Sequence, residues 1–324
     1  MRQLWILLTA AVAILAQDRK TWPEQRQRIL ANMQSVMGEL PAKWDGPLDV
    51  QVLEEERTDR YVRRKITFAP EPNDRVPAYL FFPVNKAARH PAMLCLHQTT
   101  KIGKGEPAGL GGKPNLQYAR ELAERGYVTL APDYPNFGDY TIDVYKAGYA
   151  SATMKGIVNH RRAVDLLVSM KEVDPKRIGV IGHSLGGHNS LFAAAFDERL
   201  RAAVTSCGFN SFRKYMNGNL KGWSHKGYMP RILERYGADP AQMPFDFTDI
   251  LSVIAPRAIF INAPTGDSNF DVSGVRDCVA AAAPVYAKVY GKPQRLAAVH
   301  PDAGHDFPPE QREQAYRFLA AQLK

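Results

Sequence analysis

The sequence predicts an α/β fold: a mostly parallel central sheet with helices on both faces and an antiparallel N-terminal entry. Three observations lead to it. From Pro91 onward, short aliphatic runs alternate with helix-period segments, the rhythm of right-handed βαβ crossovers. Before Pro91, β-rich runs follow one another with only turn residues between them, as antiparallel neighbours do. Beyond its first sixteen residues the chain is roughly 300 residues long, enough for one large domain on a single sheet.

The chain opens Met1-Arg2-Gln3, runs apolar from Leu4 to Ala16, and turns polar at Gln17-Asp18-Arg19-Lys20. One positive residue, an apolar stretch too short to span a bilayer and small residues before a cut after Ala16 predict a secretory signal peptide at 1–16, with an uncleaved anchor as the alternative. The mature protein is therefore expected to be secreted or periplasmic, without stable membrane insertion. Residues from about 20 to 45 read as a helix with an exposed face, Pro23 suiting its first turn. "LDVQVLEEER", "YVRRKITFAP" and "RVPAYLFFP" are the antiparallel runs, broken by turns such as Pro72-Asn73-Asp74.

"AMLCLH" is then a buried strand, "NLQYARELAERG" a helix ending at Gly126, "YVTLAPD" a strand, "GIVNHRRAVDLLVSM" a helix and "RIGVIG" a strand. A helix starting near Leu185 leads to the strand "LRAAVTSCG". From about 209 to 255 the chain is irregular and aromatic, with Tyr215, Trp223 and Tyr228, and reads as a cap-like insertion in a single domain spanning 17–324, with a surface excursion packed on that domain as the alternative. "RAIFINAP" resumes the strands. A helix around Val275 to Tyr290, the strand "RLAAVH", a loop through Gly304 and a last helix from about Pro309 complete the chain.

The formal charge is +9, but Lys and Arg are interspersed with Asp and Glu and form only short clusters such as Arg63-Arg64-Lys65. A solvated basic surface, not a nucleic-acid partner, is the reading, since no recognition motif accompanies the charge. Cys95, Cys207 and Cys278 are too few and too widely spaced for a disulfide framework or a paired zinc motif. "GKGEPAGLGGKP" has prolines where both phosphate-loop patterns need other residues, and reads as a flexible loop over the site.

The chemistry starts at Gly182-His183-Ser184-Leu185-Gly186, where a strand meets a helix. Glycines on either side of a serine fit a sharp turn that projects the hydroxyl upward. A serine hydroxyl is a poor nucleophile near neutral pH, so it needs a base in reach and a third group to orient that base. Asp267 follows the strand "RAIFINAP", with Asp271 four residues on as the alternative; His305 follows "RLAAVH", with His300 competing from the strand terminus. Each alone is an ordinary loop residue. The order Ser, Asp, His across the ends of three successive strands is what predicts a triad of Ser184, Asp267 and His305. An oxyanion would be held by the backbone N–H groups of Leu185, at a helix start, and of Gln98, in the loop after "AMLCLH". His97, His183 and His188 read as structural residues.

These residues resemble the α/β-hydrolase superfamily, specifically secreted or periplasmic serine esterases of the dienelactone hydrolase and acetyl xylan esterase type. The resemblance runs from about Tyr61 to Leu323 and rests on "LCLHQTT", "GHSLGG", "APTGD" and "AGHDF". Ser184 departs from the cysteine nucleophile of dienelactone hydrolases proper, and Gln98 from the glycine common in the oxyanion loop. The resemblance implies acyl transfer through a serine ester with no cofactor, and no H-E-x-x-H or related spacing points to a metal. Aromatic residues interleaved with Asn217, Asn219, Lys221 and His225 suit a polar alcohol, with Trp223 and Tyr228 as substrate contacts. A short-acyl esterase acting on a small-molecule or saccharide ester is the expectation. A peptidase or amidase and a non-catalytic binding module are the alternatives.

Overall fold

A computed structural model describes residues 19–85 and 87–324; the expected signal peptide lies outside them. Nine strands form one sheet: β1 (Gln51–Arg57), β2 (Tyr61–Phe68), β3 (Val76–Pro83), β4 (His90–Leu96), β5 (Val128–Pro132), β6 (Val173–His183), β7 (Leu200–Ser206), β8 (Ala258–Asn262) and β9 (Leu296–Val299). Their spatial order is β1-β2-β3-β5-β4-β6-β7-β8-β9. Pairings up to β3–β5 are antiparallel and all later ones are parallel, as the spacing of the runs predicts. β5 and β8 are buried along their length because both sheet faces are covered, which is why β8 opens with the apolar run AIFI. β1 is exposed at every residue, and its Glu54-Glu55-Glu56 charges blunt an edge that could otherwise pair with another chain.

The helices are α1 (Trp22–Met37), α2 (Tyr118–Glu124), α3 (Ala152–Ser169), α4 (Leu185–Phe196), α5 (Arg231–Tyr236), α6 (Phe247–Ile254), α7 (Val272–Pro284) and α8 (Pro309–Gln322). α1 is shorter than its sequence suggests, ending at Gly38, where φ is +101°. It buries Trp22, Met33, Val36 and Met37 in the larger of two core layers. Ser151 caps α3 by accepting from the Met154 N–H at 3.0 Å, and its hydroxyl donates to Met37 O, joining the two helices. A reciprocal capping box of Asp246 and Asp249 starts α6. The second core layer, on the opposite face, packs α2 and α8 against the sheet through Tyr118, Leu122, Tyr316 and Leu319. Among the described residues, no helix is long and apolar enough to cross a membrane.

One expectation is overturned here. The first half of the segment 103–114 is not a free loop: Gly103, Lys104, Gly105, Glu106, Pro107 and Ala108 are all buried, whereas residues 110–114 are exposed. The cause is Asp133, fully buried just beyond β5, which accepts from Lys104 Nζ at 2.7 Å and from Lys104 N at 2.8 Å. A buried carboxylate needs such a partner, and its demand fixes the loop that supplies it.

Candidate active site

Parallel strands all end on one side of the sheet, and the loops leaving β4, β6, β7, β8 and β9 gather there. Ser184 sits between β6 and α4 with φ +53° and ψ −117°, a conformation that a residue with a Cβ seldom adopts. Its N–H donates to Ser206 O of β7 at 2.8 Å, which holds the turn in place. The glycines have a steric reason to be there. A Cβ on Gly182 would lie 2.2 Å from Gly186 O, and one on Gly186 would lie 1.9 Å from Leu96 O. The turn and the end of β4 therefore touch backbone to backbone.

His305 meets Asp267 across the loops after β9 and β8: Nδ1 lies 2.9 Å from Oδ2 and 3.0 Å from Oδ1. Burial would raise the Asp267 carboxyl, but the hydrogen bond and charge of His305 and the N–H groups of Asn269 and Phe270 outweigh it and hold the group below the usual carboxylate range. Asp271 instead caps α7, accepting from Ser273 N, and His300 Nδ1 is engaged with Ala263 O. Of the competing pairs, only Asp267 and His305 are brought together. The His305 ring lies edge-on to that of His183, 4.8 Å between centroids, which sets it beside the serine turn. Ser184 Oγ itself has no hydrogen-bond partner among the described residues.

The loop that carries His305 is tied down by groups the sequence did not single out. Asp306 O accepts from Asn262 Nδ2 at 3.0 Å and from Cys207 Sγ at 3.3 Å, while Asp306 Oδ2 accepts from Asn115 Nδ2 at 2.6 Å. Ser206 Oγ links Asn262 Nδ2 to His183 Nδ1, both at 2.9 Å. Burial, with the charges of His305 and Lys113, pushes the His183 imidazole well below its ordinary range, so it is neutral. Polar residues at the last position of a buried strand, Ser206 and Asn262, are the signal that could have found this network.

Gln98 follows β4. His97 fixes it: its Nε2 accepts from Tyr134 N at 2.9 Å, so its Nδ1–H donates to Gln98 O at 2.6 Å. The Gln98 side chain donates to buried Glu106 Oε1 at 3.0 Å. The N–H groups of Gln98 and Leu185 donate to no backbone or side-chain acceptor among the described residues. Both belong to segments in contact through Gly186.

Gly227 and Tyr228, in the segment expected to be a cap-like insertion, lie against this region. Tyr228 OH is 3.4 Å from Thr99 Oγ1, and Tyr134 OH donates to Gly227 O. Tyr228 stays partly exposed, whereas Trp223 is 3 % exposed within a layer of Phe212, Tyr215, Phe247 and Phe270. Trp223 thus packs behind Tyr228 and His188 and presents no free ring face, contrary to the expectation of a direct substrate contact.

Comparison with known proteins bears on the fold and on the family models that the chain matches. Residues 140–290 match the family model described as glucuronyl esterase, fungi, and residues 9–156 match one described as abhydrolase family. YtaP of Bacillus subtilis strain 168, which carries the name of a hydrolase, is 26 % identical over 298 residues, covering 88 % of this chain and 95 % of its own. A glucuronoyl esterase from Solibacter usitatus superposes with a TM-score of 0.74 at 21 % identity, covering 95 % of this chain and 94 % of its own. An acetyl xylan esterase from Paenibacillus sp. R4 superposes with a TM-score of 0.65 at 19 % identity, covering 95 % and 96 %. At such identity the structural likenesses establish the fold.

Proposed function

We propose that this chain, an α/β-hydrolase, is a serine carboxylic-ester hydrolase acting on short-acyl esters of polar alcohols or sugars. The observation that carries the reading is the pairing of His305 with Asp267 beside a serine held at positive φ. In this reading Ser184 attacks the ester carbonyl while His305 Nε2 takes its proton. Asp267 stabilises the imidazolium that forms, and the N–H groups of Leu185 and Gln98 receive the oxyanion. His305 then passes the proton to the leaving alcohol and activates water to release the acid from Ser184. Tyr228, partly exposed beside Thr99, is the substrate contact, and Trp223 supports it from behind. The apolar N-terminal stretch supports secretion or export to the periplasm, where saccharide esters are accessible.

The match of residues 140–290 to glucuronyl esterases favours a second arrangement of the same chemistry, in which the sugar supplies the acid of the ester and not the alcohol. Hydrolysis of p-nitrophenyl esters from acetate to palmitate, of acetylated xylan and of an alkyl glucuronate, each with Ser184→Ala beside the wild type, separates the two. Activity peaking at acetate and extending to acetylated xylan supports the first; activity confined to the glucuronate ester supports the second. Ser184-independent activity, or cleavage of amides alone, would remove the esterase reading.

A further inference from the structure

Behind the serine turn, one ligand atom from each of His183, Cys207 and His305 lies within 4.8 Å of the other two. Tetrahedral zinc, with bonds of about 2.0 Å to nitrogen and 2.3 Å to sulfur, holds its donors roughly 3.3–3.8 Å apart, so these three need close by only about 1 Å. His183 is fully buried and its Nε2 has no hydrogen-bond partner among the described residues, although its Nδ1 is satisfied by Ser206 Oγ at 2.9 Å. A buried acceptor left unpaired is uncommon. Cys207 is 2 % exposed and held at φ +48°, its sulfur turned toward the His305 loop, where it donates to Asp306 O. His305 is the partly exposed member and gives the entry path.

We propose that His183, Cys207 and His305 form a three-ligand site for a thiophilic divalent cation of the zinc class, and that its occupancy stops hydrolysis. Two imidazoles and a thiolate are the donor set such ions prefer, with a fourth position left for water. On binding, the Cys207 S–H bond breaks, its proton leaves to solvent, and a sulfur–metal bond forms; the imidazoles give lone pairs without change of charge. Either nitrogen of His305 serves the inhibition. An ion on Nε2 occupies the atom that takes the serine proton. An ion on Nδ1 sends that proton to Nε2 and displaces the hydrogen bond to Asp267. The site itself rests on geometry alone; only its effect on turnover rests on the reading of His305 as the base.

The test uses the intact protein with cobalt(II) as a spectroscopic probe and zinc(II) as the inhibitor. Cobalt should produce a thiolate-to-metal charge-transfer band in the near ultraviolet that is lost in Cys207→Ser and in Cys207→Ala. Zinc should inhibit p-nitrophenyl acetate hydrolysis, reversibly on chelation, with the half-inhibitory concentration raised at least about 10-fold in Cys207→Ser. A band that survives in both variants, through Cys95 or Cys278, or equal zinc sensitivity of wild type and Cys207→Ser, overturns the site. If the wild type hydrolyses no ester, the esterase reading falls while the cobalt band still decides the metal site.

Discussion

His305 Nδ1 lies 2.9 Å from Oδ2 of Asp267, although the two residues are 38 positions apart and belong to loops leaving different strands. The carboxylate faces inward, its side chain 1 % exposed, and takes two backbone N–H groups besides the ring. Its orientation is thereby fixed before any substrate arrives. Asp267→Asn keeps the shape but reverses the donor at one oxygen, which turns the imidazole to the wrong tautomer, and kcat on p-nitrophenyl acetate is expected to fall about 1,000- to 10,000-fold. Asp271→Asn, which touches only the start of α7, should change kcat less than about 2-fold. Equal losses in the two variants would show that the acid has been misassigned.

Strain at Ser184 gives a second expectation. At φ +53° and ψ −117° its Cβ crowds the backbone, at a cost on the order of 1–3 kcal/mol that glycine does not incur. Ser184→Ala and Ser184→Gly should both lose hydrolysis. At an unfolding entropy of about 2.1 cal/mol/K per residue, each kcal/mol moves the melting temperature of a chain of this size by roughly 1.5 °C, so Ser184→Gly should melt about 1.5 °C or more above Ser184→Ala. A lower melting point for the glycine variant would mean that the turn is unstrained.

The order of Ser184, Asp267 and His305 could be read from sequence because each follows a short apolar strand, and strand ends gather on one side of a parallel sheet. Of Asp267 and Asp271, the one nearer that strand end is the one that pairs with His305. The loop 103–114 misled for an opposite reason. Its glycines suggest freedom, but a Cβ on Gly103 would lie 2.2 Å from Asp133 Oδ1, as would one on Gly138 in the loop after β5. A buried ion pair between residues 29 positions apart leaves no local pattern. Trp223 misled similarly: an aromatic residue in an insertion has the same composition signal whether it faces a ligand or, as here, six other rings.

The capping box of α6 predicts how stability changes with pH. Burial pushes the Asp246 carboxyl up to about 6; the N–H groups of Phe212 and Phe247 reduce that rise and the neighbouring Asp249 adds to it. Its folded value thus lies above the ordinary 3.8, and between about 4 and about 6 the folded chain keeps a proton that the unfolded chain has lost. The contribution of this group to the unfolding free energy therefore falls as pH rises through that window. Asp246→Asn keeps an acceptor for the cap and cannot ionise. In urea unfolding it should gain on the wild type by on the order of 2 kcal/mol between pH 4.5 and pH 7.5. A difference independent of pH would mean that Asp246 is not held at a raised value.

Gly186 joins the two halves of the proposed oxyanion site, and it tests that site most directly. A Cβ there would sit 1.9 Å from Leu96 O, 2.5 Å from Leu96 C and 2.9 Å from His97 O. All three atoms are backbone, so no side-chain rotation relieves the overlap. Leu96 O is also held from the other side by the Tyr118 hydroxyl, and β4 is paired on both edges, which leaves α4 or the 97–98 loop to move. Either movement separates the N–H of Leu185 from that of Gln98. Losing a single oxyanion donor costs about 100- to 1,000-fold in kcat, and overpacking of this kind about 1–3 kcal/mol in stability. Gly186→Ala is therefore expected to lower kcat by at least about 100-fold with KM little changed. It should still react, though slowly, with a fluorophosphonate at Ser184, because the substitution leaves the serine hydroxyl and the His305–Asp267 pair chemically intact. Unimpaired kcat in a folded Gly186→Ala protein would show that Gln98 and Leu185 do not act as a pair.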